Sequence, residues 1–336
     1  MSIMTEYLPD GRSFELSQEL LRGAIDIHVH PGPHIFSSPR RVDPFQAAIQ
    51  ARDAGMRALV FMDVFEMSNG TAWLVNRTVP DFQTYGGIIL NTVYGGINPR
   101  AVKTALHYGD GAKYVSFGAH STYYQAAREG RSVDGKFVPL SELYPNYKEE
   151  LDHCIRIPLE AEPGPELDEI LSLIAENPDV YMIIGHVSVD EAVRLVGLAK
   201  DYGIKRVVVS SAVTKIAGID ELRHMASRGA FIEYTLAAFT HTTSIPKTHY
   251  YVEKEYASID EGMSEGPGGG VKHAAKQIRE LGAEHCIIST DFGVYTLPEP
   301  VEGLREFIAC LLDLGIPREG IERLVKENPE KLLGLS

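Results

Sequence analysis

The sequence predicts an α/β fold, a (β/α)8 barrel with long loops after strands four and seven. Three observations lead there. The 336 residues, 44% hydrophobic and 23% charged, suit one large α/β domain better than a disordered or fibrous chain. Eight short runs rich in β-branched residues are nearly continuous in apolar side chains, as parallel strands covered on both faces require. Segments with helical spacing and capping signals lie between them, and the repeated order of strand, helix, Gly and strand leaves a doubly wound sheet as the alternative.

Taken in order, residues 1–22 form an N-terminal extension, and the first strand is AIDIHV at 24–29. Asp43-Pro44 then opens the helix FQAAIQARDAG, because proline suits the first helical position. RALVFMDVF at 57–65 and GGIILNTV at 86–93 are the second and third strands, and Pro99 opens the helix that follows. AKYVSF at 112–117 is the fourth. Pro165 opens ELDEILSLIAEN before the fifth strand, VYMIIGHV at 180–187, which is followed by the helix SVDEAVRLVGLAKDYG. KRVVVSS at 205–211, GAFIEYTL at 229–236 and EHCIIST at 284–290 complete the set. Residues 119–156 and 237–270 are too long for ordinary connections, and on a barrel they follow strand C-terminal ends, where active sites sit. They are read as active-site loops of a single domain spanning 1–336.

The formal net charge of −14 disfavours a nucleic-acid partner and polybasic membrane attachment, and no basic stripe stands out against it. No run approaches the roughly 18 apolar residues that span a bilayer. Cys154, Cys286 and Cys310 are widely spaced and odd in number, against a disulfide framework or thiolate cluster. The expectation is a cytoplasmic protein acting on a small molecule, and a homo-oligomer.

His28 and His30 end the first strand in IDIHVHPGPH. Side chains two apart on a strand share a face, so the two imidazoles make half of a divalent metal site. His186 ends the fifth strand and Asp291 the eighth. In a barrel these strand ends converge on one mouth, so all four could surround one ion, although each taken alone could be a core imidazole or a turn cap. Arg40 in SSPRR could recognise a substrate carboxylate, with Lys247 a weaker candidate. Asn91, Asn98 and Tyr94 in NTVYGGINP could line the mouth from the third strand. DFG at 291–293 has no kinase context, and GPGGG at 266–270 is not followed by the residues of a phosphate-binding loop.

These features resemble the amidohydrolase superfamily: the His-x-His ending strand one, a His ending strand five, an Asp ending strand eight, and the tail NPEKLLGL. The resemblance covers essentially the whole chain. DIHVHPGPH, GGIILNTVYGGINPRAV and GHVSVDEAVRL point to one of the superfamily's less characterised branches. It implies metal-ligand roles for His28, His30, His186 and Asp291, the four that strand geometry also brings together.

The departures bear on the number of ions. Family members commonly carry a further His ending strand six, where this chain has Ser211, and a bridging Lys or Glu ending strand four, where it has Gly118, Ala119 and His120. At the position of His34 the related branch would carry an acid. The resemblance therefore implies one divalent metal ion, Zn2+ first, with Mn2+, Fe2+ or Ni2+ as alternatives. It implies hydrolysis of a C–N bond in a small amide or cyclic amide by metal-activated water, with Asp291 as general base. His120, His34 or a histidine of the seventh loop could stand in for the absent imidazole, and His34, His120 and Ser211 join Arg40 and Asn91 as candidate substrate-binding residues. A mononuclear decarboxylase or other lyase, and a barrel without chemistry, are the rival expectations.

Overall fold

The computed structural model describes residues 12–34, 39–134, 136–160, 162–239 and 270–335. Among them, all eight expected runs are parallel strands: β1 Ile25–Val29, β2 Ala58–Phe61, β3 Gln83–Tyr85 continued as Gly87–Ile89, β4 Tyr114–Ser116, β5 Tyr181–Ile183, β6 Val207–Val209, β7 Phe231–Thr235 and β8 Cys286–Ser289. β3 begins earlier than its apolar run suggests. Its first half pairs with β2 and its second with β4, so it joins the two halves of the wall. At the turning point a Cβ on Gly86 would stand 2.3 Å from the backbone of Ser68, so the strand can pass there only as glycine.

The ring closes between β8 and β1. Val29 bridges Phe292, the Asp291 N–H donates to the His28 carbonyl at 2.8 Å, and the His30 N–H donates to the Phe292 carbonyl at 2.8 Å. The buried Asp26 carboxylate, fully shielded from solvent, accepts from Thr290 Oγ at 2.6 Å and Thr290 N–H at 3.2 Å, clamping the seam.

Helices cover the wall, and the four that open at Pro44, Pro99, Pro165 and Val189 stand where the capping signals place them. Those of the wall are α1 Arg12–Leu21, α2 Pro44–Asp53, α3 Ser68–Thr78, α4 Pro99–His107, α5 Pro165–Glu176, α6 Val189–Asp201, α7 Ile219–Ser227, α8 Gly270–Leu281 and α9 Pro300–Asp313. Asp43 caps α2 and Ser188 caps α6, each in a reciprocal pair with the residue three on (Gln46 and Glu191), which satisfies end N–H groups. α1, from the N-terminal extension, packs against α9. No helix among the described residues is long and apolar enough to cross a membrane.

The core has two layers. Leu59, Phe61, Val115 and Ile288 pack outward with helix residues such as Ala47 and Ile170. Ile25, Ile27, Val60, Tyr114, Tyr181, Val208 and Ile287 fill the barrel interior, with Leu332 and Leu333 of the tail helix Asn328–Leu333 packed onto them. The tail NPEKLLGL thus has a structural role. Asn328, fully buried, donates to the carbonyls of Ala283 and Cys286, both at 2.8 Å, and anchors the helix that carries those leucines.

The connection after β4 builds structure of its own: a short helix Tyr123–Ala126, a hairpin of Gly130–Val133 with Lys136–Pro139, and helices Leu140–Leu143 and Pro145–His153. Most of the connection after β7, with His241, Lys247, His249, Tyr250 and Tyr251, lies outside the described residues.

Candidate metal centre

The site begins with an irregularity in β1. Asp26 pairs with Leu59 and Val29 with Phe61, so two residues, Ile27 and His28, oppose Val60 alone. Such a bulge re-aims side chains. Ile27 belongs to the barrel interior and the next residue, His28, points to the same side, where its Nδ1 lies 3.0 Å from Glu233 Oε1 on β7. The Asp26 side chain accepts the His28 N–H at 3.0 Å and holds the bulge.

His30 follows on the same face, its Nδ1 bonded to the Met62 carbonyl at 2.8 Å. Met62 O can only accept, so Nδ1 carries the proton and Nε2 presents a lone pair. Asp291 completes the group. Its φ of 56° lies in the left-handed region, which Asp visits more readily than most residues, and this turns its carboxylate back toward β1. A Cβ on Gly293 would stand 1.9 Å from the His30 carbonyl oxygen, so the glycine of DFG lets the eighth-strand loop lie against the first.

The three ligating atoms converge. His28 Nε2 is 3.1 Å from His30 Nε2 and 3.6 Å from Asp291 Oδ1, and His30 Nε2 is 3.0 Å from Asp291 Oδ1. Donors at the usual 2.0–2.1 Å from one tetrahedral ion stand about 3.3 Å apart, so the spacing fits a single ion held by two imidazoles and a carboxylate. His28, His30 and Asp291 are the metal-competent group found among the described residues.

The charges agree. Burial works against a charged His28, but the carboxylates of Glu233 and Asp291 outweigh it and push the imidazole up to about 9. A place that favours a proton so strongly also favours a cation that replaces it. Burial keeps His30 below its ordinary value, as a neutral ligand needs, against the pull of Asp291.

His186 stands beside this group without joining it. Its ring meets that of His120 edge to face at 5.9 Å, and burial, with His120 next to it, holds the imidazole down to about 3. Its Nδ1 is buried with no hydrogen-bond partner among the described residues, which leaves it suited to a further ligand. His120 Nδ1 is itself 2.9 Å from Glu129 Oε1.

The remaining expected residues divide. His34 and Arg40 meet at the mouth, Arg40 NH2 lying 2.9 Å from His34 Nε2 and His34 Nδ1 3.1 Å from Asp63 Oδ2. Asn91 and Ser211 do not line it. Asn91 is buried, donating to the Val64 carbonyl at 3.0 Å and accepting the Ala119 N–H at 2.9 Å, so its amide ties strand ends together. Ser211 is buried at the start of a helical turn, and its Oγ accepts the Thr235 N–H at 3.1 Å. Asn98 caps α4, and the Tyr94 hydroxyl donates to the Phe65 carbonyl at 3.1 Å.

Two carboxylates escaped the sequence reading. Glu233 sits inside the apolar run FIEYT, 1% exposed, accepting from Ser289 Oγ at 2.6 Å as well as facing His28. An acid in the middle of an apolar strand is costly without a partner, and that cost was the available signal. Asp63 follows the run ALVFM just as Asp291 follows CIIST, the same signal on a second strand.

Comparison with known proteins adds the family. Residues 23–233 match a family described as a family of unknown function (DUF6282). The chain belongs to that family. No curated protein sequence matches it. Among solved structures it is similar to a Pseudomonas putida protein assigned as a 2-pyrone-4,6-dicarboxylic acid hydrolase, at 14% identity and a TM-score of 0.54, covering 94% of this chain and 98% of that one. It is also similar to Agrobacterium tumefaciens ATU3138 in its apo form, at 14% identity and a TM-score of 0.50, covering 94% and 97%. At such identities the likeness shows the fold that this DUF6282 chain shares with them.

Proposed function

We propose that the protein is a metal-dependent hydrolase of the amidohydrolase superfamily, cleaving a C–N bond in a small amide or cyclic amide. The observation that carries this reading is the convergence of His28 Nε2, His30 Nε2 and Asp291 Oδ1 within 3.0 to 3.6 Å at the C-terminal ends of β1 and β8. These residues would hold one divalent ion, with His186 as a fourth ligand. Zn2+ is the ion that such a nitrogen and oxygen donor set favours first. When bound, the ion supplies a Lewis acid that polarises a carbonyl and makes water acidic enough to react near neutral pH.

The chain's own residues do the rest. Glu233 on His28 and the Met62 carbonyl on His30 fix each ring by its Nδ1 and aim both Nε2 atoms at one point. Asp291 is 34% exposed at its side chain, so it can face both ligand and substrate. It takes the proton of the attacking water and returns it to the leaving nitrogen as the C–N bond breaks. Ser211 in place of a sixth-strand imidazole favours one ion over two, and one ion is also the requirement of the decarboxylase reading.

The test is a panel of small amides, cyclic amides and carboxylic acids offered to the Zn2+-loaded protein in 18O-labelled water. Label entering the new carboxylate of an amide product supports hydrolysis. Release of CO2 with no label incorporated would replace it with the lyase reading.

A further inference from the structure

We infer that the connection after β4 sets the fourth ligand of the metal centre, with Glu129 as a positioning residue that acts on His186 through the ring of His120. The inference rests on the proposed function for the ligand role of His186, but not for the geometry that holds its ring.

The rings of His28 and His30 are each tethered at Nδ1, by Glu233 and by the Met62 carbonyl. His186 has no such tether among the described residues, because its buried Nδ1 has no hydrogen-bond partner there. An imidazole that ligates a metal ordinarily takes its orientation from an outer partner on the ring. For His186 that role falls to packing. The ring packed on it is His120, edge to face, with 5.9 Å between centroids and 74° between planes. Whatever turns His120 therefore bears on His186.

Glu129 fixes His120. Its Oε1 lies 2.9 Å from His120 Nδ1, and a carboxylate only accepts, so the imidazole donates there and one ring orientation is selected. The acid is 9% exposed, and a buried carboxylate is costly without partners. The connection supplies them. Gln125 Nε2 donates to Glu129 Oε1 at 3.4 Å, and the Tyr147 hydroxyl stands 3.3 Å from Oε2. The Leu140 N–H donates to the Glu129 carbonyl at 2.9 Å. Burial, with Glu129 beside it, pushes the Tyr147 hydroxyl above its ordinary value, so it stays a donor. These partners come from the helices Tyr123–Ala126, Leu140–Leu143 and Pro145–His153, so the place of Glu129 depends on the fold of the whole connection.

The connection is closed at its root. Thr122 bridges Ile155, the Tyr123 N–H donates to the Ile155 carbonyl at 2.9 Å, and the Ile155 N–H donates to the Ser121 carbonyl at 2.8 Å. The same root grips the end of β5. Thr122 Oγ donates to the His186 carbonyl at 2.5 Å, and the His186 N–H donates to the Gly118 carbonyl at 3.0 Å. The backbone of His186 and the ring of His120 thus belong to one frame, in which the bond to Glu129 sets the remaining rotation.

The experiment is long-range proton–nitrogen NMR of the full-length protein labelled with 15N-histidine, chelator-stripped and Zn2+-loaded, beside chelator competition for Zn2+. Glu129→Leu removes the acceptor and should shift the ring resonances of His120 and His186 in the stripped protein. It should also raise the Zn2+ Kd about tenfold, the low end for outer partners of metal ligands. Glu129→Gln keeps an acceptor oxygen, so both readouts should stay near the wild type, which a general loss of structure would not predict. His120→Phe breaks the same bond from the other side and should shift His186 as well, and adding Glu129→Leu to it should change neither readout further. His186 resonances that stay in place in the single variants, or a second loss of the same size in the double variant, overturn the inference. Resonances that move in a protein that takes up no metal support the positioning and refute the hydrolase reading alone. A protein that binds Zn2+ while its His186 resonances ignore Glu129→Leu and His120→Phe refutes the positioning alone.

Discussion

Replacing Glu233 is expected to weaken metal binding without removing a ligand. Its Oε1 lies 3.0 Å from His28 Nδ1 and accepts Ser289 Oγ at 2.6 Å, and the residue is 1% exposed. Glu233→Gln keeps the shape but exchanges a charge-assisted hydrogen bond, worth about 1.5–3 kcal/mol, for a neutral one of about 0.5–1.5 kcal/mol. The difference of about 1–1.5 kcal/mol is a fivefold to tenfold rise in Kd. Glu233→Leu also strands His28 Nδ1 and the Ser289 hydroxyl, and the cost rises toward 100-fold, the upper range for outer partners of metal ligands. Competition with a chromogenic chelator measures both Kd values, and circular dichroism checks that the fold survives. If both variants bind Zn2+ within twofold of the wild type, the argument that Glu233 orients and charges His28 is refuted.

Three further outcomes follow from the packing. Gly293→Ala places a Cβ where only 1.9 Å separates it from the His30 carbonyl oxygen, so it should displace the β1 or β8 loop and cost metal affinity as well as stability, read by the same competition assay and by thermal unfolding. Asn328→Ala removes two buried N–H donors from the Ala283 and Cys286 carbonyls, which at about 1–3 kcal/mol each should lower unfolding stability by about 2–6 kcal/mol in urea, without changing metal stoichiometry. Stripping the metal with a chelator should lower the melting temperature, and excess Zn2+ should restore it, because an ion that binds only the folded state stabilises it by mass action. The same melting temperature in both forms would show that the ion is not held by the folded site.

Much of the fold is legible because its signals are local. An apolar run such as VYMIIG can only be a covered strand, and Asp43-Pro44 or Ser188 followed by an acidic turn can hardly be other than a helix start. His28, His30 and Asp291 are legible for a related reason, since polar side chains ending apolar strands need partners. What stays hidden depends on register and shape. The bulge at Ile27 and His28 is visible only once Asp26 and Val29 are seen three residues apart against two on β2. Glu233 is hidden by its apolar neighbours. Asn91 and Ser211 have side chains that suit a substrate equally well, and only the backbone groups around them show that they hold strand ends instead. His186 is placed at the correct strand end, but its distance from the metal-competent group is set by the backbone of the fifth strand.

The most direct test of the account is metal content, measured by elemental mass spectrometry on the purified and Zn2+-reconstituted protein beside His28→Ala and Asp291→Ala. About one equivalent of a divalent ion is expected in the wild type, as one set of donors holds. Loss of that ion is expected in both variants with circular dichroism unchanged. A well-folded wild type that takes up no ion after reconstitution, or variants that keep it, would contradict the metal centre on which the proposed function stands.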